Sequence, residues 1–124
     1  MNQKLTVGIA DMKIGKGNDL LVTYALGSCI GLCFYDQRTK TGALLHIMLP
    51  LNMEPGRKNP LKYADTGIRE TLRQLETQGA SRSRITVKIA GGAKMFEVNG
   101  GNLGNIGQRN IESVRMVLRK EGIR

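Results

Sequence analysis

The chain has 124 residues, 40% hydrophobic and 23% charged, with a formal net charge of +9 from 19 basic and 10 acidic side chains. These are ordinary values for one globular domain able to bury a core without staples, and they exclude a low-complexity chain. No apolar run approaches the roughly 20 residues that span a bilayer. Met1-Asn2-Gln3-Lys4 leads into an alternating pattern rather than a signal-peptide core. The expectation is therefore a single cytoplasmic domain over residues 1–124, with no membrane insertion. A charge of +9 favours an acidic partner (nucleic acid, an anionic membrane surface or an acidic protein), or serves solubility alone. Nucleic acid is disfavoured. Only five aromatics are present (Tyr24, Phe34, Tyr35, Tyr63 and Phe96), most of them in apolar runs expected to be core, whereas stacking platforms need exposed rings.

In chain order, Leu5, Val7 and Ile9 alternate with Thr6, Gly8 and Ala10, and Met12 and Ile14 continue the period of two. This predicts one half-buried first strand. The cluster Gly15-Lys16-Gly17-Asn18-Asp19 breaks it. Leu20–Thr23 starts a second strand, aimed at the corner Gly27-Ser28-Cys29, where a glycine lets the backbone take a positive φ or approach a ligand closely. Ile30–Tyr35 and Ala43–Leu49, joined by the polar segment Asp36–Gly42, read as a β-hairpin with Cys29 at the mouth of its first strand and His46 inside its second.

A loop over Leu51–Asn59 ends in Asn59-Pro60, a helix entry with asparagine capping and proline at the first position. Ala64, Ile68, Leu72 and Leu75 predict a helix over Leu61–Gln78, stopped by Gly79, with Arg69 and Arg73 on its outer face. Ser81–Arg84 is a polar connector, and Ile85–Ala90 alternates as a strand running into Gly91-Gly92. That glycine pair followed by Lys94 lacks the GxxxxGK[ST] spacing of a phosphate loop, and a bend or a cleft wall is the better reading. Asn99–Gly107 is read as a flexible glycine-rich loop. A second helix is predicted from Gln108, with Ile111, Val114, Val117 and Leu118 buried and Gly122 ending it. Strand–helix–strand–helix after an antiparallel start suggests an α+β or mixed-sheet sandwich.

The chemistry-bearing residues are few. Cys29 and Cys33, four apart in a strand-like run, would lie roughly 13 Å apart, too far for a disulfide. With the one histidine they give three soft ligands at most and no CxxC pair, so a zinc site is disfavoured and free thiols in a reducing compartment fit best. Cys33, inside an apolar run, is expected to be core. Cys29 and His46 on one hairpin are the minimum for an activated thiol, because imidazole can take the thiol proton and return it to a leaving group. Taken singly, each is more often structural.

Five segments together carry a resemblance: Thr23…Leu26-Gly27-Ser28-Cys29, Leu45-His46-Ile47-Met48-Leu49-Pro50, Lys62-Tyr63-Ala64-Asp65, Gly91-Gly92-Ala93-Lys94-Met95-Phe96 and Ile106-Gly107-Gln108-Arg109-Asn110. In this order they resemble the chemoreceptor glutamine deamidases of bacterial chemotaxis, the CheD family. The resemblance implies an α+β three-layer sandwich with mixed, mainly antiparallel sheets and two main helices. It implies a Cys-His-Thr triad at Cys29, His46 and Thr23, with Gly27 and Ser28 at the oxyanion or substrate position, the backbone N–H groups near Ser28 and Cys29 as the natural oxyanion donors, and no metal or cofactor. Its implied substrate is glutamine on methyl-accepting chemotaxis receptors, with a CheC-type phosphatase as a further partner, and ester hydrolysis at a methyl glutamate is conceivable at the same site. Family members commonly continue past the second helix with further strands, which this sequence lacks. The rival readings are a non-catalytic adaptor or basic binding module using its positive surface, and a general peptide hydrolase with the same triad.

Overall fold

The structure, a computed structural model, describes residues 3–51, 59–93 and 105–123. These form strands β1 (Lys4–Val7), β2 (Asp11–Lys16), β3 (Leu20–Thr23), β4 (Ile30–Asp36), β5 (Thr41–Ile47) and β6 (Thr86–Gly91), and helices α1 (Ala64–Thr77) and α2 (Ile106–Lys120). One sheet runs β2-β5-β4-β6 with every pair antiparallel, while β1 and β3 pair in parallel as a separate ribbon. The predicted loop over Leu51–Asn59 lies largely outside the described residues, as do Lys94 and most of the glycine-rich stretch.

The hairpin β4–β5 sorts its side chains by the strand period of two. Ile30, Leu32 and Phe34 pair with Ile47, Leu45 and Ala43, and all six are buried against the apolar stripes of α1 and α2. The opposite face carries Gly31, Cys33 and Tyr35 from β4 and Leu44 and His46 from β5, and the β1–β3 ribbon packs over part of it. Helices, four-stranded sheet and ribbon make three layers, the α+β sandwich expected.

Punctuation residues fix the ends of the helices. The Asn59 side chain accepts the Leu61 N–H at 3.0 Å, and Pro60 opens a 3-10 turn, Pro60–Lys62. The α-helix proper therefore starts at Ala64 rather than Leu61, after an extended Tyr63. Gly79 (φ 98°) and Gly122 (φ 74°) take the left-handed conformation just past α1 and α2. The second helix begins at Ile106, so Gly107 belongs to it and not to the preceding loop.

Three expectations are corrected. The single first strand is two strands in different sheets, because the chain reverses at Gly8–Ala10: Ala10 sits at φ 57° and the Asp11 carboxylate accepts the Gly8 N–H at 3.1 Å. Cys33 is exposed, not core, since Leu32 and Phe34 take the helix-facing positions and its own face is only partly covered. Tyr35 shares that face and is exposed, and Tyr24, just past β3, is exposed as well. Phe34 and Tyr63 are buried as expected.

Asp36, fully buried at the end of β4, closes the hairpin against the connector before β6. Its carboxylate accepts the backbone N–H groups of Arg38 and Ser81, each at 3.0 Å, and the Arg84 guanidinium at 2.9 Å. The Arg84 bond outweighs desolvation and holds the Asp36 carboxyl down to about 2. A depressed carboxyl contributes stability above its ordinary pKa near 3.8 and loses it as pH falls through about 2. Asp36→Asn is therefore expected to lower the urea midpoint at pH 7 and to reduce the acid loss between pH 4 and 2, as urea titrations at each pH will show. The loss should not vanish, because Arg73 and Gln74 also hold Glu70 at about 2.

Candidate active site

Thr23 ends β3 opposite Val7 at the end of β1, and His46 lies on β5 between Asp11 of β2 and Gly31 of β4. The ribbon thus sets Thr23 over the imidazole. The Thr23 hydroxyl lies 2.8 Å from His46 Nδ1 and 2.8 Å from the Val7 carbonyl oxygen. A carbonyl can only accept and a threonine hydroxyl has one proton to give. Both contacts are satisfied together only when Thr23 donates to Val7 and accepts from a protonated Nδ1. That tautomer leaves the lone pair on Nε2. His46 is fully buried, and its Nε2 has no hydrogen-bond partner among the described residues.

Cys29 directly precedes β4. Ile30 pairs with Ile47 and Gly31 with His46, so Cys29 stands one residue beyond the ladder and diagonal to His46. Diagonal neighbours on one face are roughly 7–8 Å apart, within reach of long side chains. Gly31, directly opposite the imidazole, leaves the space that Leu26 and Thr23 occupy: a Cβ there would sit 3.2 Å from Leu26 Cδ2 and 3.7 Å from Thr23 Cγ2.

The loop carrying Cys29 is held by its carbonyls. The Leu26 oxygen accepts the Cys29 N–H at 2.7 Å, closing a turn in which Gly27 takes φ 50° and Ser28 a negative φ, the pattern of a type II′ turn. The Gly27 oxygen accepts from Ala93 N–H at 2.9 Å, the Cys29 oxygen from Gly92 N–H at 2.8 Å, and the Ser28 oxygen from Asn110 Nδ2 at 2.8 Å. Four successive carbonyls, those of residues 26–29, thereby accept hydrogen bonds from the protein. Among the described residues no acceptor is bonded to the N–H of Gly27 or Ser28. The Cys29 N–H, expected as an oxyanion donor, is instead taken by the turn, where it donates to the Leu26 carbonyl.

Two contributors, Asn110 and Gly107, stand in the sequence only within a segment that carries the resemblance, with no role of their own. Asn110 is fully buried, and besides Ser28 its Nδ2 donates to the Met48 carbonyl at 2.9 Å, so α2 ties the loop before β4 to the end of β5. Its signal was a polar residue on the stripe Gly107, Asn110, Val114 and Val117. Close packing here also depends on glycine. A Cβ on Gly91 would collide with the Cys29 carbonyl, and one on Gly107 with the carbonyls of Gly92 and Ala93. The pair Gly91-Gly92, both at positive φ, is thus the bend behind the thiol loop.

Burial pushes the Cys29 thiol up and the His46 imidazole down, so both neutral forms are favoured. The residue paired with His46 on β2 is Asp11, a carboxylate. Although burial opposes it, bonds from Lys13, Gly8 and Met12 hold it ionised and occupied, and the group bonded to the imidazole is a hydroxyl. Among the described residues no group of three or more His, Cys, Asp or Glu side chains could hold a metal ion.

The family model for CheD chemotactic sensory transduction matches residues 48–124. Over 125 aligned residues the chain is 43% identical to a "Probable chemoreceptor glutamine deamidase CheD" of Pyrococcus abyssi, covering 100% of this chain and 77% of that protein. This chain belongs to the CheD family. It is also 44% identical to a CheD of Pyrococcus horikoshii over 123 residues, 98% of this chain and 76% of the relative. With a CheD of Syntrophomonas wolfei it shares 44% over 117 residues, 93% and 73% of the two chains. The family match begins after His46, whereas the Pyrococcus abyssi alignment takes in the whole of this CheD chain, Thr23, Cys29 and His46 included.

The direction of the Cys29 shift has a measurable consequence. In a Cys33→Ser background, which removes the exposed second thiol, the iodoacetamide alkylation rate of Cys29 should rise with pH through a midpoint above the ordinary thiol value of about 8.5. A midpoint below neutrality would mean a resting thiolate–imidazolium pair instead.

Proposed function

We propose that this chain is a protein-glutamine deamidase of the cytoplasm, converting glutamine side chains of methyl-accepting chemotaxis receptors to glutamate through a Cys29 thioester. The observation that carries the reading is the Thr23–His46 bond, which leaves Nε2 as a free base on the side of the sheet where Cys29 enters β4. The names of the relatives, each a chemoreceptor glutamine deamidase, supply the substrate class.

The steps follow from the residues. His46 Nε2 takes the Cys29 proton as the sulfur attacks the carboxamide carbon, and the C=O electron pair moves to oxygen. The resulting oxyanion needs donors placed in advance. The N–H groups of Gly27 and Ser28 are assigned that task, because the Cys29 N–H is bonded to Leu26. The imidazolium then returns its proton to nitrogen, the C–N bond breaks and ammonia leaves. Water, deprotonated by His46, adds to the thioester, and collapse releases glutamate and the Cys29 thiol. Thr23 holds the ring through Nδ1–H in both protonation states, the role of the third group in a triad. The neutral ground states favoured by burial fit general-base attack better than a resting ion pair.

The net charge of +9 suits encounter with acid-rich receptor helices, where complementary charge speeds association. A CheC-type phosphatase belongs to the same proposal as a second partner, on the family resemblance alone.

The deciding experiment incubates a purified receptor cytoplasmic fragment with wild type and Cys29→Ala side by side, reading ammonia and the mass change of the fragment. Ammonia with the glutamine-to-glutamate mass change, both lost in the variant, is the expected result. New amine termini would instead mark a peptide hydrolase, and receptor effects that survive Cys29→Ala a binding module. Thr23→Val keeps the shape of the side chain but removes the acceptor. It is expected to lower kcat on the order of 10²-fold, with Thr23→Ser retaining most of the activity; equal rates in all three proteins would remove Thr23 from the mechanism.

A further inference from the structure

The parallel ribbon that delivers Thr23 to His46 ends in two exposed apolar side chains. Val7 and Thr23 are register partners, so β1 and β3 leave the ribbon side by side. Just beyond those ends stand Ile9, 57% exposed, and Tyr24, 59% exposed, which with Leu20 are the most exposed large hydrophobics among the described residues. Leu20 lies at the far end of β3. Isolated exposed apolar residues need no explanation. These two share a construction that does.

Each is followed by an alanine in the left-handed region, Ala10 at φ 57° and Ala25 at φ 54°. That conformation is strained for a non-glycine residue, and such strain persists where the surroundings hold it. Both alanines border the site. The Ala10 N–H donates to the His46 carbonyl at 2.8 Å, and Ala25 lies between Thr23 and the turn that carries Cys29. The two reversals turn the chain back at the reacting groups and leave Ile9 and Tyr24 outside them.

The geometry points to Ile9 and Tyr24 as an apolar rim that docks the substrate polypeptide, contacting apolar side chains one helical turn from the target glutamine. This rests on the deamidase reading for the identity of the substrate as a helix. The base is fully buried and the thiol only partly exposed. A glutamine on a helix reaches them only when the helix surface comes down onto the rim. Residues three and four positions away share that surface with the glutamine, and Ile9 and Tyr24, each within two residues of a strand end that borders His46, are the exposed apolar side chains offered to them. The rim would read the neighbours of the glutamine, and the thiol only the carboxamide, so specificity for sequence around the site would reside in these two side chains.

The test separates docking from chemistry. Binding of the receptor cytoplasmic fragment is measured calorimetrically to Cys29→Ala protein, then with Ile9→Ser, Tyr24→Ser or Tyr24→Phe added, thermal melts confirming that each variant is folded. The expected result is a Kd raised about tenfold by each serine substitution, the range of a buried apolar contact at an interface, and restored by Tyr24→Phe. Unchanged affinity in both serine variants overturns the rim, as does a fragment that the wild type deamidates but that Cys29→Ala fails to bind. The two readings fail separately. Loss of affinity in the serine variants with no ammonia from wild type would leave the docking surface standing without the reaction. Ammonia release with unaltered affinity would leave the reaction standing without the rim.

Discussion

A threonine hydroxyl has a single proton, and in this chain the Val7 carbonyl receives it. The rest of the site depends on that constraint. Because Thr23 is then an acceptor, His46 must keep its proton on Nδ1, and Nε2 is left free to accept one. A hydroxyl serves here in the place a carboxylate takes in a Ser-His-Asp triad, although Asp11 stands next to His46 on β2. Lys13 and two backbone N–H groups occupy Asp11, and the imidazole is left with a neutral partner. A neutral partner orients the ring without adding the charge that would raise its pKa, consistent with the downward shift that burial produces.

The fold brings this about with a division of labour between its layers. The β1–β3 ribbon supplies the acceptor, the four-stranded sheet supplies the histidine and the start of the thiol strand, and the helical layer anchors the loop from behind. Asn110 makes that last connection, reaching from the buried stripe of α2 to carbonyls on both sides of the hairpin's open end. Where the backbones of Gly91, Gly92 and Gly107 approach one another and Cys29, there is no room for a Cβ. The consequence is a loop in which the carbonyls of residues 26–29 all accept hydrogen bonds from the protein, while the N–H groups of Gly27 and Ser28 meet no acceptor among the described residues.

Much of this was legible in the sequence because the relevant signals are local. Asn59-Pro60, Gly79 and Gly122 punctuate helices wherever they occur, and the two apolar runs around Asp36–Gly42 can hardly be other than a hairpin. The break in the first strand was hidden because Leu5, Val7, Ile9 and then Met12 and Ile14 read as one alternating run, and alanine gives no warning of a positive φ. Cys33 and Tyr35 were misplaced because β4 is apolar on both faces. Which face is covered depends on where the short ribbon lies, a non-local fact. Thr23 lies 23 residues from His46, and no spacing rule links them; the family resemblance did. Asn110 could have been found from its place on the helical stripe, but its partners, 82 and 62 residues away, could not.

The proposed chemistry depends on where the imidazole proton sits, and His46 is the one histidine in the chain. Nitrogen-15 NMR of the histidine side chain in folded protein at pH 7.5, where ordinary imidazole with a pKa near 6.5 is neutral, therefore reports on this residue alone. A protonated Nδ1 and an unprotonated Nε2, with Thr23→Val removing the preference, is the predicted result. A proton on Nε2 in the wild-type protein would contradict it, because the nitrogen meant to receive the Cys29 proton would already be occupied.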